Sequence, residues 1–185
     1  MPGTEEMASY VLEVRHRLVG ALALYCGSQD VAEEAAQEAL SRLWQRWDTV
    51  ERRDAWLYRV GFNLLRSRAR RRVIELKAHA RLSRPAGDEE RQAAFAEGAP
   101  VRTALARLPA REREALVRRF FLDQSTAGIS LAMGCAEGTV KATIHHGLGH
   151  LRLMLPSRRD MDQDGMDQDG MEQDDMEQDD ALNHS

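Results

Sequence analysis

"GCAEGTVKATIHHGLGHLR", Gly134 to Arg152, is the stretch on which the reading of this chain turns. It has the form of a turn followed by a short basic helix. A helix-turn-helix needs a small residue inside its first helix, because the second helix packs across it. It needs a residue tolerant of positive φ at the turn, and an apolar residue in the second helix to close the core. Ser130, Gly134 and Val140 supply these at offsets of four and ten, and Ile129, Met133 and Ile144 complete the apolar set. The other side of the second helix offers Glu137, Thr139, Lys141, Thr143, His145 and His146 as donors and acceptors. A helical hairpin with no nucleic-acid role meets the same requirements, so the stretch alone leaves both readings open.

Working back from Gly134, the chain continues to read as helix. "STAGISLAMG" starts at Ser125, a side chain that caps helices, and ends at the glycine. "PAREREALVRRFF" places Pro109 in a first turn, where its missing N–H is not needed. "VRTALARL" is a further short helix. Residues 83–99, "SRPAGDEERQAAFAEGA", are polar with Pro and Gly and read as a linker.

The half before the linker is also helical, with few alternating segments and few β-branched residues. A first helix is predicted from about Glu5 to Tyr25, ended by "GSQD". Asp30 and Glu33 then form a D-x-x-E capping box for a second, about Val31 to Trp47. Ala32, Ala36, Ala39, Leu40, Leu43 and Trp47 fall on one face of it; Asp30, Glu33, Glu34, Gln37, Glu38 and Ser41 fall on the other. Ordinary solvation explains that acidic face without any partner. "DTVERRD" reads as a loop. A third helix, about Ala55 to Arg81, starts apolar and carries a polar stripe of Arg59, Asn63, Arg66 and Arg70. "RSRARRR", residues 66–72, holds five arginines in seven residues. They repel one another unless acidic neighbours or a polyanion screen them. A solvated helix end and a nucleic-acid surface are equally good readings. Trp44, Trp47 and Trp56 stand at helical spacing and are expected in the core.

The charge is unevenly placed. Asp160 to Asp180 hold 11 of the 30 acidic residues and none of the 26 basic ones, so residues 1–159 carry a net +7 although the whole chain is at −4. A basic body suggests a polyanionic partner, weakly. Cys26 and Cys135 form no CxxC pair and read as reduced, partly buried thiols. No apolar run approaches the ~20 residues that span a bilayer, and no signal peptide is visible. A cytoplasmic protein with no membrane insertion is the expectation. Neither a nucleophile–base pair, a phosphate loop nor a metal cluster is legible, so no enzyme activity, cofactor or metal is expected.

Two blocks carry a family resemblance. "DVAEEAAQEALSRLWQRWDTVERRDAWLYRVGFNLLRSRARR" resembles region 2, and "ALARLPAREREALVRRFFLDQSTAGISLAMGCAEGTVKATIHHGLGHLR" resembles region 4, of the extracytoplasmic-function (ECF) sigma factors of the sigma-70 family. Together they cover roughly half the chain, and their order and the intervening linker match as well. The resemblance implies an all-α fold of two small helical domains, at 1–82 and 100–156, joined by a flexible linker over 83–99; the acidic composition of 157–185 reads as a disordered tail. It implies a bacterial transcription-initiation subunit with two partners, core RNA polymerase and promoter DNA, duplex at the −35 element and single-stranded at the −10 element. An anti-sigma partner is left open. The acidic face of Asp30, Glu33, Glu34, Gln37 and Glu38 then has a use as the polymerase-binding face. Asp48, Arg52, Arg53, Arg59, Asn63, Arg66 and Arg70 lie where the family captures the −10 strand, whose bases need stacking and whose phosphates need cations. Glu137, Thr139, Lys141, Thr143, His146 and Arg152 lie where it reads the −35 element. The alternative, a stand-alone helix-turn-helix regulator, has no need of the acidic face.

The chain departs from the family pattern at Ser67, Gly128, Thr143, Gly147 and Gly149. The last two are expected to cost roughly 1 kcal/mol each in an exposed helix interior and to fray the recognition helix early. His145, His146 and His150 lie close together, with Cys135 as the nearest further ligand, too few for zinc. The tail is four pentapeptides, MDQDG, MDQDG, MEQDD and MEQDD, over residues 161–180. It has almost no apolar bulk and is expected to be disordered. A near-match to a calcium loop from Asp160 fails at its twelfth position, Met171. A solubilising tail and a nucleic-acid mimic that competes for the basic surface both remain open.

Overall fold

The computed structural model describes residues 4–80 and 99–155. The linker and acidic-tail expectations lie outside the described residues, apart from Ala99. Seven α-helices follow in order: α1 Thr4–Cys26, α2 Gln29–Trp44, α3 Arg53–Ala80, α4 Ala99–Arg107, α5 Ala110–Leu116, α6 Thr126–Met133 and α7 Glu137–Met154. A π-helical turn, Val117–Phe121, continues α5.

Gly27 takes φ 74° and ends α1, its N–H reaching Ala23 O at 2.8 Å. Ser28 is therefore the N-cap of α2, and its hydroxyl accepts from Val31 N at 3.4 Å. The expected Asp30/Glu33 capping box does not form. With Gly27 already terminating α1, Ser28 takes the cap, and Glu33 accepts from Gln29 Nε2 at 2.8 Å instead. The helix also stops earlier than expected, at Trp44, and residues 45–49 turn. Trp47 reaches the core from that turn at 4% exposure, whereas Trp44 is 53% exposed. Trp56 is half-buried against the core. The expectation that all three tryptophans pack inside thus fails at Trp44, which lies seven residues after Gln37 on the polar side of α2.

α2 buries Ala32, Ala35, Ala36, Ala39 and Leu43. Small side chains there let α1 and α2 approach closely. Leu18, Ala21, Leu22 and Tyr25 of α1 meet Leu57, Tyr58, Phe62 and Leu65 of α3 in the same core. Tyr25 stacks edge-on against Phe62 at 5.1 Å. Burial, and the 2.6 Å hydrogen bond that its hydroxyl donates to Asp54, hold the Tyr10 phenol well above its ordinary pKa.

The second half builds its own cluster from Leu105, Leu108 and Leu116 with Ile144, Leu148, Leu151 and Met154, and Leu24 of α1 packs into it. Conversely, Val117 and Leu122 belong to the first core. The halves are docked in this conformation. Arg113 stitches the seam, donating to Tyr25 O at 2.8 Å, Ala106 O at 2.6 Å and Leu108 O at 2.9 Å. Pro109 sits at the N-cap of α5, one place before the first turn expected for it.

Candidate nucleic-acid and polymerase interfaces

The helix-turn-helix closes as its residue pattern requires. Ser125 accepts from Gly128 N at 3.1 Å and caps α6. Gly134 adopts φ 64°, ψ 43°, the left-handed conformation that reverses the chain. Val140 and Ile129 are buried, at 1% and 0% exposure. Ser130 does more than leave room: its hydroxyl donates to Cys135 O at 2.6 Å and ties α6 to the turn.

On α7, Glu137, Thr139, Lys141, His146 and Arg152 are exposed, and Thr143 is half-buried with its hydroxyl on Thr139 O at 2.8 Å. These residues do not share one strip. Glu137, Lys141 and Arg152 follow one flank of the exposed face, and Thr139, Thr143 and His146 the other, at helical spacing. Between the flanks lie Gly138, Ala142 and Gly149, with His145 and Leu153 on either side of them, all exposed. A Cβ on Gly138 or Gly149 would meet nothing within 4 Å. The helix presents three small residues at the middle of this face, bordered by the exposed His145 and Leu153.

Gly147 corrects an expectation. It is buried, and a Cβ there would stand 2.9 Å from Leu116 Cδ1 and 3.3 Å from Glu112 Cβ. It is a close-approach point that lets α7 pack on α5, and α7 runs unbroken to Met154. Nearby, His150 Nδ1 lies 2.7 Å from Glu112 Oε2 and pins the same two helices. Nothing in the sequence spacing signals that pair. No group of three His, Cys, Asp or Glu able to hold a metal occurs among the described residues.

Asp30, Glu33, Glu34, Gln37 and Glu38 are all exposed on one strip of α2. Asp30, Glu33, Glu34 and Gln37 line a shallow recess with Val11, Leu40 and the exposed Trp44, and Arg15 stands on its edge; Glu38 lies outside it. Glu38 pairs with Arg42 at 2.8 Å and Glu34 with Arg68 at 2.9 Å, both in solvent.

The residues expected at the −10 strand divide. Asp48, Arg52, Arg59, Asn63 and Arg70 are exposed. Arg52 and Arg59 line an open cleft of about 440 Å³ together with Arg46, Val50 and Trp56. The opposite wall of that cleft is Gly128, Leu131 and Ala132 of α6, so the helix-turn-helix stands over this surface. Arg53 is occupied, its guanidinium 4.0 Å over the Trp47 ring and 3.9 Å from Glu6. Arg66 is turned into the seam, 3.3 Å from Glu114, and hydrogen-bonded to Asn63 Oδ1.

Glu114 and Arg118, which sequence reasoning missed, hold that seam. They are 1% and 0% exposed and pair at 2.9 Å. Arg118 also lies 4.2 Å over the Phe62 ring, and Burial pulls its guanidinium below the ordinary value against the opposing pull of Glu114. "REREALVRR" reads as a solvated charged helix, and only contact with α3 makes its acid and base interior.

A well-formed helix-turn-helix, a basic helix and a separate acidic helix face, with helices as the regular elements of the described residues, define a class of helical nucleic-acid-binding proteins. The family models resolve the class. Residues 11–73 match sigma-70 region 2, and residues 99–151 match sigma-70 region 4. The chain is 31% identical over 144 residues to the ECF RNA polymerase sigma factor SigL of Mycobacterium tuberculosis (strain ATCC 25618 / H37Rv), covering 70% of this chain and 77% of that protein. It is 33% identical over 134 residues to the RNA polymerase sigma-E factor of Streptomyces coelicolor, covering 71% and 75%. The chain belongs to the ECF sigma factors of the sigma-70 family, which are regulatory proteins rather than enzymes. In fold it is similar to sigma factor RpoE of Bartonella quintana, solved in complex with the anti-sigma factor NepR, with TM-score 0.69 and 22% identity over 82% of this chain and 97% of that one. It is similar also to CnrH, solved with the cytosolic domain of CnrY, with TM-score 0.62 and 20% identity over 82% and 88%. No described helix is long and apolar enough to cross a membrane.

Proposed function

We propose that this sigma factor binds core polymerase through the α2 strip, reads a duplex −35 element with α7 and captures the separated −10 strand on α3 and the loop before it. The observation that carries the reading is the pairing, in one chain, of an exposed acidic strip on a region 2 match with an exposed recognition helix on a region 4 match. Acidic side chains around the exposed Trp44 suit a basic protein surface with an apolar centre. The flanks of α7 offer Lys141 and Arg152 to phosphate on one side and Thr139 and His146 on the other, and the small Gly138 and Ala142 between them admit close approach to the groove floor.

The functional units in this reading are residues 1–82 and 100–156, acting in the cytoplasm. The docked conformation is the resting form. In it α6 stands over the −10 cleft and Arg66 faces Glu114, so engaging both promoter elements requires the halves to part. An anti-sigma protein that grips the docked form is a further expected partner, since one structural neighbour was solved with an anti-sigma factor.

Run-off transcription tests the reading directly. The chain, core polymerase and a library of promoters are expected to give discrete transcripts that neither component gives alone. DNA binding that is independent of polymerase, with no transcript from any template, would instead make the chain a stand-alone regulator.

A further inference from the structure

We propose that the acidic repeat of residues 160–180 docks on the arginine strip of α3 in the same chain and competes there with nucleic-acid phosphate. The inference rests on the proposed role of α3 as a DNA surface only for the competition; the docking stands on charge and exposure.

The strip is available. Of the five arginines in residues 66–72, Arg66 is held in the seam by Glu114, while Arg68, Arg70, Arg71 and Arg72 are exposed. Arg68, Arg71 and Arg72 share one side of the helix at spacings of three and four and repel one another, with Arg70 on the other side, so this helix end favours any anion that approaches. The strip already accepts a carboxylate, since Glu34 lies 2.9 Å from Arg68 across the α2–α3 groove.

The occupant is on the same chain. Asp160 to Asp180 carry 11 acids and no basic residue. Their five-residue repeat sets similar acid groups along the segment, so one register is not required and several place carboxylates opposite the strip. Reach is ample: about 20 residues extend up to roughly 70 Å, against a body of radius of gyration about 15 Å. Each single contact in solvent is weak and salt-screened. Tethering raises the local concentration of carboxylates to the millimolar range, where many weak contacts compete with phosphate.

The experiment compares the full chain with a full-length variant whose 11 tail acids are changed to Asn or Gln. Both are titrated against a fluorescein-labelled single-stranded DNA by anisotropy, across several salt concentrations. The neutral tail is expected to tighten binding about fivefold or more at low salt, with the gain vanishing as salt rises. Arg68→Gln, Arg70→Gln, Arg71→Gln and Arg72→Gln are then combined in both backgrounds, and the tail effect is expected to disappear. A tail effect that survives them means diffuse repulsion without docking and overturns the proposal, as do equal affinities at low salt. A labelled peptide of residues 158–185 is also titrated into the neutral-tail chain without DNA. Saturable binding lost with the four arginines supports docking even where neither form binds DNA, which is the failure of the functional reading alone. Absence of peptide binding overturns the docking.

Discussion

Glu114 and Arg118, one turn apart, form an ion pair at 2.9 Å in the seam between the two halves, with both side chains essentially out of solvent. Arg66 approaches the same carboxylate from α3 at 3.3 Å, and Phe62 presents its ring to the Arg118 guanidinium at 4.2 Å. One carboxylate thus pairs with two guanidinia from different halves. The π-helical turn beside it widens the backbone after Leu116, with Leu122 N bonding Val117 O at 3.1 Å.

Removing one partner leaves the other charged and buried, which costs about 3–5 kcal/mol, whereas replacing both with apolar residues of similar size is close to neutral. Glu114→Leu, which leaves the buried Arg118 without a carboxylate, is expected to lower the urea midpoint strongly, whereas Arg118→Met leaves Glu114 paired with Arg66. Arg118→Met with Glu114→Leu is expected to recover most of that loss. Glu114→Leu as mild as the double would mean that the pair is solvated in solution.

The helices and the helix-turn-helix were legible because they depend on spacing within about ten residues. Ser130, Gly134 and Val140 meet local demands that a sequence displays. The docking of the halves was not legible, because it joins Tyr25 to Arg113 and Arg66 to Glu114 across the linker. The acidic strip and the recognition face were visible as exposed sets; that Arg53 and Arg66 are already engaged was not, since their partners Glu6 and Glu114 are remote in sequence. Gly147 shows the same limit. Its helix pattern reads as a weak point, and only Leu116 reveals it as a contact.

Gly147 and Gly149 therefore respond oppositely to the same change. Gly149→Ala adds a methyl into open space and is expected to stabilise by about 0.5–1 kcal/mol through helix propensity. Gly147→Ala drives a methyl against the buried Leu116 and is expected to destabilise by about 1–3 kcal/mol. Thermal unfolding of the two variants checks the signs, and equal shifts would contradict the packing of α7 on α5.

Glu34→Lys with Glu38→Lys is expected to weaken binding to core polymerase at least tenfold while leaving helicity intact. Both residues are solvent-exposed, and their pairs with Arg68 and Arg42 are worth about 0–1 kcal/mol each. Titration of labelled protein into core polymerase, with circular dichroism as the folding control, measures this. Unchanged affinity with a native spectrum would remove the α2 strip from the polymerase interface.

Gly20 gives a means of opening the seam without touching a charge. A Cβ there would lie 2.8 Å from Phe121 Cζ, across the contact between α1 and the π-helical turn. Phe121 is 39% exposed, so its ring can yield to a methyl but not readily to a larger side chain. Gly20→Leu is expected to raise the radius of gyration in solution scattering, with Gly20→Ala close to the parent. Parent-like scattering from Gly20→Leu would mean that the ring swings aside and the halves stay docked.

Lys141→Ala tests the recognition helix. Lys141 stands exposed on the flank that also carries Glu137 and Arg152. A lysine on phosphate releases about one counterion's worth of salt dependence, so its loss lowers the slope of log affinity against log salt by about one, uniformly across sequences. A lysine on a base edge instead relaxes one position of the −35 element, at about 1–3 kcal/mol of discrimination. Its place on a flank rather than beside Gly138 and Ala142 at the middle of the face favours phosphate. Polymerase-bound chain titrated with duplex −35 variants at several salt concentrations is expected to show the uniform loss and the reduced slope. A loss confined to one base pair would move Lys141 to the groove floor, and no loss at all would remove it from the interface.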